Sequence, residues 1–216
     1  MWRTLATVLM IMSVLAAPAL ADHGPVTDAT CPIPSAKVVL DPGHGGPDPG
    51  AINDAYGLRE ADLTLAIATR VAEILRAEGG FTVALTRQDA GTELGNSQRG
   101  AIANACSAEV FVEVHLNASV DPEVNYAQTF WAVKEKDLVF SQVMNAALGS
   151  LGIPLNTVDR FDNGGLLRAK MPSILVESVF LSNPMEAEAL VQRPRREEIS
   201  RAIANGIIAW FALWSG

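Results

Sequence analysis

Positive charge is scarce in this chain: 16 Lys and Arg stand against 24 Asp and Glu, a formal net charge of −8. A balance this acidic gives no electrostatic footprint for nucleic acid or for an anionic membrane surface, so any polymer the protein touches is held by local contacts. Cysteine is scarcer still. Cys31 and Cys106 are too few for a disulfide framework; in an oxidising compartment they can pair with each other or remain two free thiols. No apolar run reaches the roughly 20 residues that span a bilayer. Internal repeats and low-complexity linkers are absent, and there are only three histidines.

The apolar run Leu5 to Ala16 follows Arg3 and ends at Ala19-Leu20-Ala21, the small-x-small close of a secretory signal. The expectation is a signal peptide over 1–21, removed on export to the periplasm or beyond, with no membrane insertion afterwards. Losing Arg3 takes the charge from −8 to −9. No lipobox cysteine follows the run, which argues against a lipoprotein. Residues 22–35 are polar and Pro-containing and read as a disordered arm. That leaves 36–216 as one domain with a full core.

Within it, apolar runs and periodic stretches alternate. A strand runs from Lys37 towards His44, followed by a Gly/Pro-rich loop from Asp41 to Gly57. A helix over Glu60 to Glu78 has Leu63, Ile67, Val71, Ile74 and Leu75 on one face, and Gly79-Gly80 stops it. Phe81 to Thr86 is a strand, and Thr92 to Ser107 a helix with Leu94, Ile102 and Ala105 inward. Glu109 to His115 and Ala127 to Val133 are strands, Lys136 to Leu151 a helix, and Ser173 to Val179 a buried strand. Asn183-Pro184-Met185-Glu186 has the cap, the N1 proline and the reach-back glutamate of a helix start. The last helix, Pro194 to Trp214, packs into the core. The pattern predicts a three-layer α/β domain whose mostly parallel, mixed sheet of about six strands has helices on both faces.

Two of the three histidines, His44 and His115, follow apolar strands, on the edge of an open α/β sheet where ligands bind. The loop after the first strand is no phosphate cradle: it lacks the P-loop ending, and Pro47 and Pro49 stop a helix from starting there. A metal suits the residues better. Glu60 opens the first helix, and two imidazoles with one carboxylate form a catalytic zinc set with a position left for water. Glu177 ends another apolar strand, where a carboxylate is costly to bury without a task; it can take the water's proton and pass it to a leaving amine. Glycine-loop histidines also serve as plain turn residues, and Glu60 alone reads as a helix-dipole partner. Glu113 shares a strand face with His115 and is either an outer support of the metal or an ion pair with an arginine.

Several stretches, in order, resemble the zinc-dependent N-acetylmuramoyl-L-alanine amidases of catalytic family 3. They are Val38-Val39-Leu40-Asp41-Pro42-Gly43-His44-Gly45-Gly46 with Asp48, Gly50 and Ala51; Gly57-Leu58-x-Glu60; Leu85-Thr86-Arg87; Arg99 with Ala103-Asn104; Val114-His115-Leu116-Asn117-Ala118; Leu166-Leu167-Arg168; and Met171 to Glu177 with Phe180-Leu181-Ser182-Asn183-Pro184. The resemblance implies a phosphorylase/hydrolase-like fold, one zinc ion per chain held by His44, Glu60 and His115, and Glu177 as catalytic acid/base. It implies peptidoglycan as the partner and substrate, cut at the amide between the lactyl group of N-acetylmuramic acid and L-alanine of the stem peptide. Two positions depart from the family: Glu113 where a small polar residue is usual, and Val179 where glycine is usual. Both bear on the shape of the cleft. No wall-binding repeat is visible, so recruitment or activation by a partner protein stays open. Against the amidase stand a catalytically inactive wall-binding or regulatory module and a zinc peptidase acting inside the stem peptide.

Overall fold

The computed structural model describes residues 29–214. The expected signal over 1–21 and the first part of the arm lie outside the described residues. The elements in order are β1 (Val38–Pro42), β2 (Ile52–Asn53), β3 (Leu58–Arg59), α1 (Glu60–Gly79), β4 (Val83–Leu85), α2 (Asn96–Ala105), β5 (Val110–Asn117), β6 (Gln128–Trp131), α3 (Glu135–Leu148), a 3-10 turn (Gly149–Leu151), β7 (Asp159–Arg160), α4 (Gly164–Arg168), β8 (Ser173–Phe180), α5 (Pro184–Val191) and α6 (Arg193–Trp214).

Six strands form one sheet in the order β4-β1-β5-β8-β6-β7. The first four run parallel; β6 pairs antiparallel with β8, and β7 runs parallel to β6. β1, β5 and β8 are apolar on both faces because helices cover both faces. Val38, Leu40, Val112, Val114, Leu116, Ile174 and Val176 turn towards α1, α3 and α6 in the larger core. Val39, Phe111 and Leu175 turn the other way, towards α2 and α4. Burying each of these large side chains contributes about 1.5–3 kcal/mol.

α6 packs against α1 and α3, with Ile199, Ala202, Ile203, Ile207 and Trp210 inward. Among the described residues, no helix is long and apolar enough to cross a membrane.

Of the two alternatives left open for the cysteines, pairing holds: Cys31 and Cys106 form a disulfide across a separation of 75 residues. Ala29, Cys31 and Ile33 also pack on the smaller core, so the described part of the arm is pinned to the domain, not disordered. In α2, Ala103 is buried and Ala105 exposed, because the helix begins at Asn96, later than expected. Asn183 does cap α5, accepting from the Met185 and Glu186 backbone N–H groups, but Glu186 does not reach back. Its carboxylate instead takes donors from Asn125 and Arg195.

Candidate metal centre

The C-terminal ends of β1, β5 and β8 lie side by side, and the loop after β1 folds over them. His44 sits in this loop at φ 61°, in the left-handed region that few non-glycine residues enter. Such a conformation persists only where the surroundings over-determine it, and here they do. Arg99 Nη2 donates to the His44 carbonyl at 2.9 Å, and its Nη1 donates to the Pro42 carbonyl at 2.9 Å. Arg87 Nε donates to Pro42, and its Nη2 to the carbonyls of Gly43 at 2.8 Å and Ala61 at 2.7 Å. Arg99 is held in turn by the fully buried Asp41, which also accepts from Thr86. Two buried arginines thus staple the loop by its backbone, leaving its side chain free to ligate.

Glycines permit the close approach. A Cβ on Gly43 would lie 2.2 Å from His115 Cε1; one on Gly50 (φ 66°) would lie 2.6 Å from His44 Cδ2 and 2.7 Å from Glu60 Oε2. Glu60, the first residue of α1, is buried. Its Oε2 accepts from the Ala51 N–H at 2.9 Å and its Oε1 from the Leu116 N–H at 3.0 Å. The same Oε1 lies 3.0 Å from His44 Nε2 and 3.0 Å from His115 Nδ1. His44 Nδ1 meets Asp48 Oδ2 at 2.8 Å. A carboxylate only accepts, so Nδ1 carries a proton towards Asp48, and Nε2 is the nitrogen that meets Glu60.

Two imidazole nitrogens aimed at one carboxylate oxygen need a proton or a cation between each nitrogen and that oxygen. The electrostatics carry the same signature. Burial opposes charge on His44, yet Glu60 and Asp48 outweigh it and raise its pKa. Burial pushes Glu60 up, but hydrogen bonds to His115 and His44 overcome it and hold the carboxyl well below the usual range. Tetrahedral zinc with bonds of about 2.0–2.1 Å separates its ligands by roughly 3.3 Å, close to the spacing here. The donor set of His44, Glu60 and His115 therefore fits a divalent ion. The Asp48 contact is of the kind that orients an imidazole for such a role.

Glu177 lies opposite His115 in the β5–β8 register, on the same face of the sheet. Its Oε2 is buried with no hydrogen-bond partner. Burial first, and the negative charge of Glu60 second, push its carboxyl well above the usual range. Glu113 forms no arginine pair, against one of the two expectations for it. Its Oε2 accepts from Asn163 Nδ2 at 2.7 Å, while Oε1 is buried and unpartnered. Asn163 also caps α4 through its side-chain oxygen. The structure thus brings His44, Glu60 and His115 together and sets Glu177 beside them. The roles of Arg87 and Arg99 emerge only from the geometry, for both work through backbone carbonyls distant in sequence, and that of Asp48 from its contact with His44 Nδ1.

The family described as N-acetylmuramoyl-L-alanine amidase matches residues 38–209. The germination-specific N-acetylmuramoyl-L-alanine amidase of Bacillus subtilis is 31% identical over 196 residues, covering 83% of this chain and 81% of that protein. The catalytic domain of CwlV, an N-acetylmuramoyl-L-alanine amidase from Bacillus (Paenibacillus) polymyxa var. colistinus, superposes with a TM-score of 0.76 at 30% identity, over 81% of this chain and 97% of that one. The CwlD amidase of Clostridioides difficile, solved in complex with the GerS lipoprotein, gives 0.76 at 29% identity, over 83% and 100%.

Proposed function

The chain belongs to the N-acetylmuramoyl-L-alanine amidase family, and from that membership we propose a zinc-dependent peptidoglycan hydrolase with His44, Glu60 and His115 as the metal ligands. It cleaves the amide between the lactyl group of N-acetylmuramic acid and L-alanine of the stem peptide. The observation that carries the metal reading is the convergence of two imidazole nitrogens on one buried carboxylate oxygen, each at 3.0 Å.

A divalent ion held there supplies Lewis-acid polarisation of a carbonyl and lowers the pKa of water. The chain's own residues supply the rest. Glu60, braced by two backbone N–H groups, and His44, braced by Asp48, hold a fixed geometry. Glu177 is the proton carrier. It takes a proton from the water that attacks the lactyl carbonyl carbon, and as the C–N bond breaks it delivers that proton to the amide nitrogen. Its lack of a buried partner suits this task, since a carboxylate tied to a cation or to backbone donors is a poor base. Burial first and the Glu60 charge second raise its pKa, which strengthens it as a base.

The same reading takes 1–21 as a signal peptide, 36–216 as the catalytic domain and the extracytoplasmic wall as the place of action. A similar amidase has been solved with the GerS lipoprotein, so a protein partner that tunes activity belongs to the reading as well. Purified protein incubated with muropeptides should release stem peptides with a free L-alanine amino terminus and an intact sugar. Chelator should abolish this activity and zinc restore it. Cleavage inside the stem peptide, or saturable sacculus binding with no product in the presence of zinc, would reject the proposal.

A further inference from the structure

Gln128, on β6, is the residue paired in register with Glu177. Its neighbour Thr129 donates to the Ser141 carbonyl on α3. By strand alternation Gln128 therefore points to the opposite face, the one Glu177 occupies. The side chain is nearly buried, at 4% exposure. Its Nε2 donates to Asp159 Oδ2 at 2.6 Å, and Thr157 Oγ1 fixes Asp159 at 3.1 Å and 3.0 Å. A carboxylate cannot donate, so the amide is locked with its NH2 group turned to Asp159. β6 lies between β7 and β8 in the sheet. With the NH2 group drawn to Asp159 on β7, the carbonyl oxygen is turned away from that carboxylate, on the residue paired with Glu177. An amide oriented this firmly, across from the proton carrier, can offer its oxygen to a donor.

The scissile amide carries one such donor. Resting on the amidase reading above, we infer that Gln128 Oε1 accepts a hydrogen bond from the N–H of the scissile amide and holds that nitrogen opposite Glu177. As water's oxygen bonds to the carbonyl carbon and the C–N bond breaks, the nitrogen receives water's proton through Glu177 and leaves as the amine, its original hydrogen still facing Gln128. The nitrogen gains positive character along this path, so the hydrogen bond strengthens towards the transition state. An interaction stronger there than in the bound substrate raises kcat more than it lowers KM.

An ester has no N–H, which makes the test selective. Zinc-loaded protein and its Gln128→Leu variant would be compared on an N-acetylmuramoyl-L-alanyl peptide and on the counterpart with an ester oxygen in place of the scissile N–H. The expected result is a roughly 10- to 100-fold loss of kcat on the amide, with KM little changed, and near-equal kcat for the two proteins on the ester. Asp159→Ala, at an exposed position that leaves the buried face intact, should give a smaller loss with the same amide selectivity. Equal losses on both substrates in both variants, or no loss on the amide, would overturn the assignment. Wild-type protein that turns over neither substrate removes the amidase reading itself, and this inference with it.

Discussion

Asp48 is the most economical test of how the centre is tuned. It touches only the far nitrogen of His44 and the Gly50 N–H, so Asp48→Ala removes orientation and leaves all three proposed ligands. Zinc affinity, read by competition with a chromogenic chelator, should fall roughly 10- to 100-fold. Gly43→Ala is a harsher probe, since the added Cβ would enter the His115 ring. Its zinc content should fall far below one ion per chain while the circular dichroism spectrum stays native. Glu177 is legible in the sequence because an acid at the end of an apolar strand is costly to bury without a task, whereas His44, Glu60 and His115 each have a plain reading alone and stand out only as a set of two imidazoles and a carboxylate. Gln128 is not legible. A glutamine in a short strand carries no signal until the register sets it against Glu177.

The strand that presents His115 also buries Glu113, and this makes β5 sensitive to pH. Burial foremost, then the charge of Asp41, raise the Glu113 pKa well above its usual value, against the smaller opposing effects of Arg99 and Asn163. A carboxyl raised on folding contributes stability that is complete below its unfolded value and is lost as pH rises through its folded value. Glu113→Gln keeps the shape and removes the titration. Its melting temperature relative to wild type should therefore climb as pH is raised from about 5 to about 8, by several degrees given about 2–4 °C per kcal/mol in a domain of this size. A difference that does not change with pH would show that Glu113 is not buried in this manner.

Long periodic elements such as α1 and α6 were readable from their apolar spacing. The β2–β3 hairpin, β7 and α4, each of two to five residues, are too short for any period to appear. They are set by contacts instead, α4 by its Asn163 cap and by Gly165, which leaves room for Glu113 Oε1. The shift of α2 has the same character, for the Gly95 N–H donates to Gln98 Oε1 and fixes the helix start.

For the molecule as a whole, the sheet order explains why one domain suffices. Parallel β4, β1, β5 and β8 bring three loop ends to one edge, while the antiparallel return of β6 places a further strand beside Glu177. The Cys31–Cys106 disulfide ties the lead-in segment to the end of α2, across 75 residues. Replacing both cysteines by serine should cost about 2–4 kcal/mol and lower the melting temperature by about 5–15 °C. Zinc stoichiometry should be unchanged, because the bridge lies away from the ligand loop.

In the proposed reaction a metal held by His44, Glu60 and His115 works with Glu177 to cut the lactyl–L-alanine amide. Product mass spectrometry on muropeptides, run side by side for zinc-loaded wild type and zinc-loaded Glu177→Gln, puts this to the test. Wild type should release intact sugar and peptide with a free L-alanine amino terminus, and the variant should do so at a rate at least about 100-fold lower at equal zinc content. Full activity in Glu177→Gln, or products cut within the peptide, would contradict it.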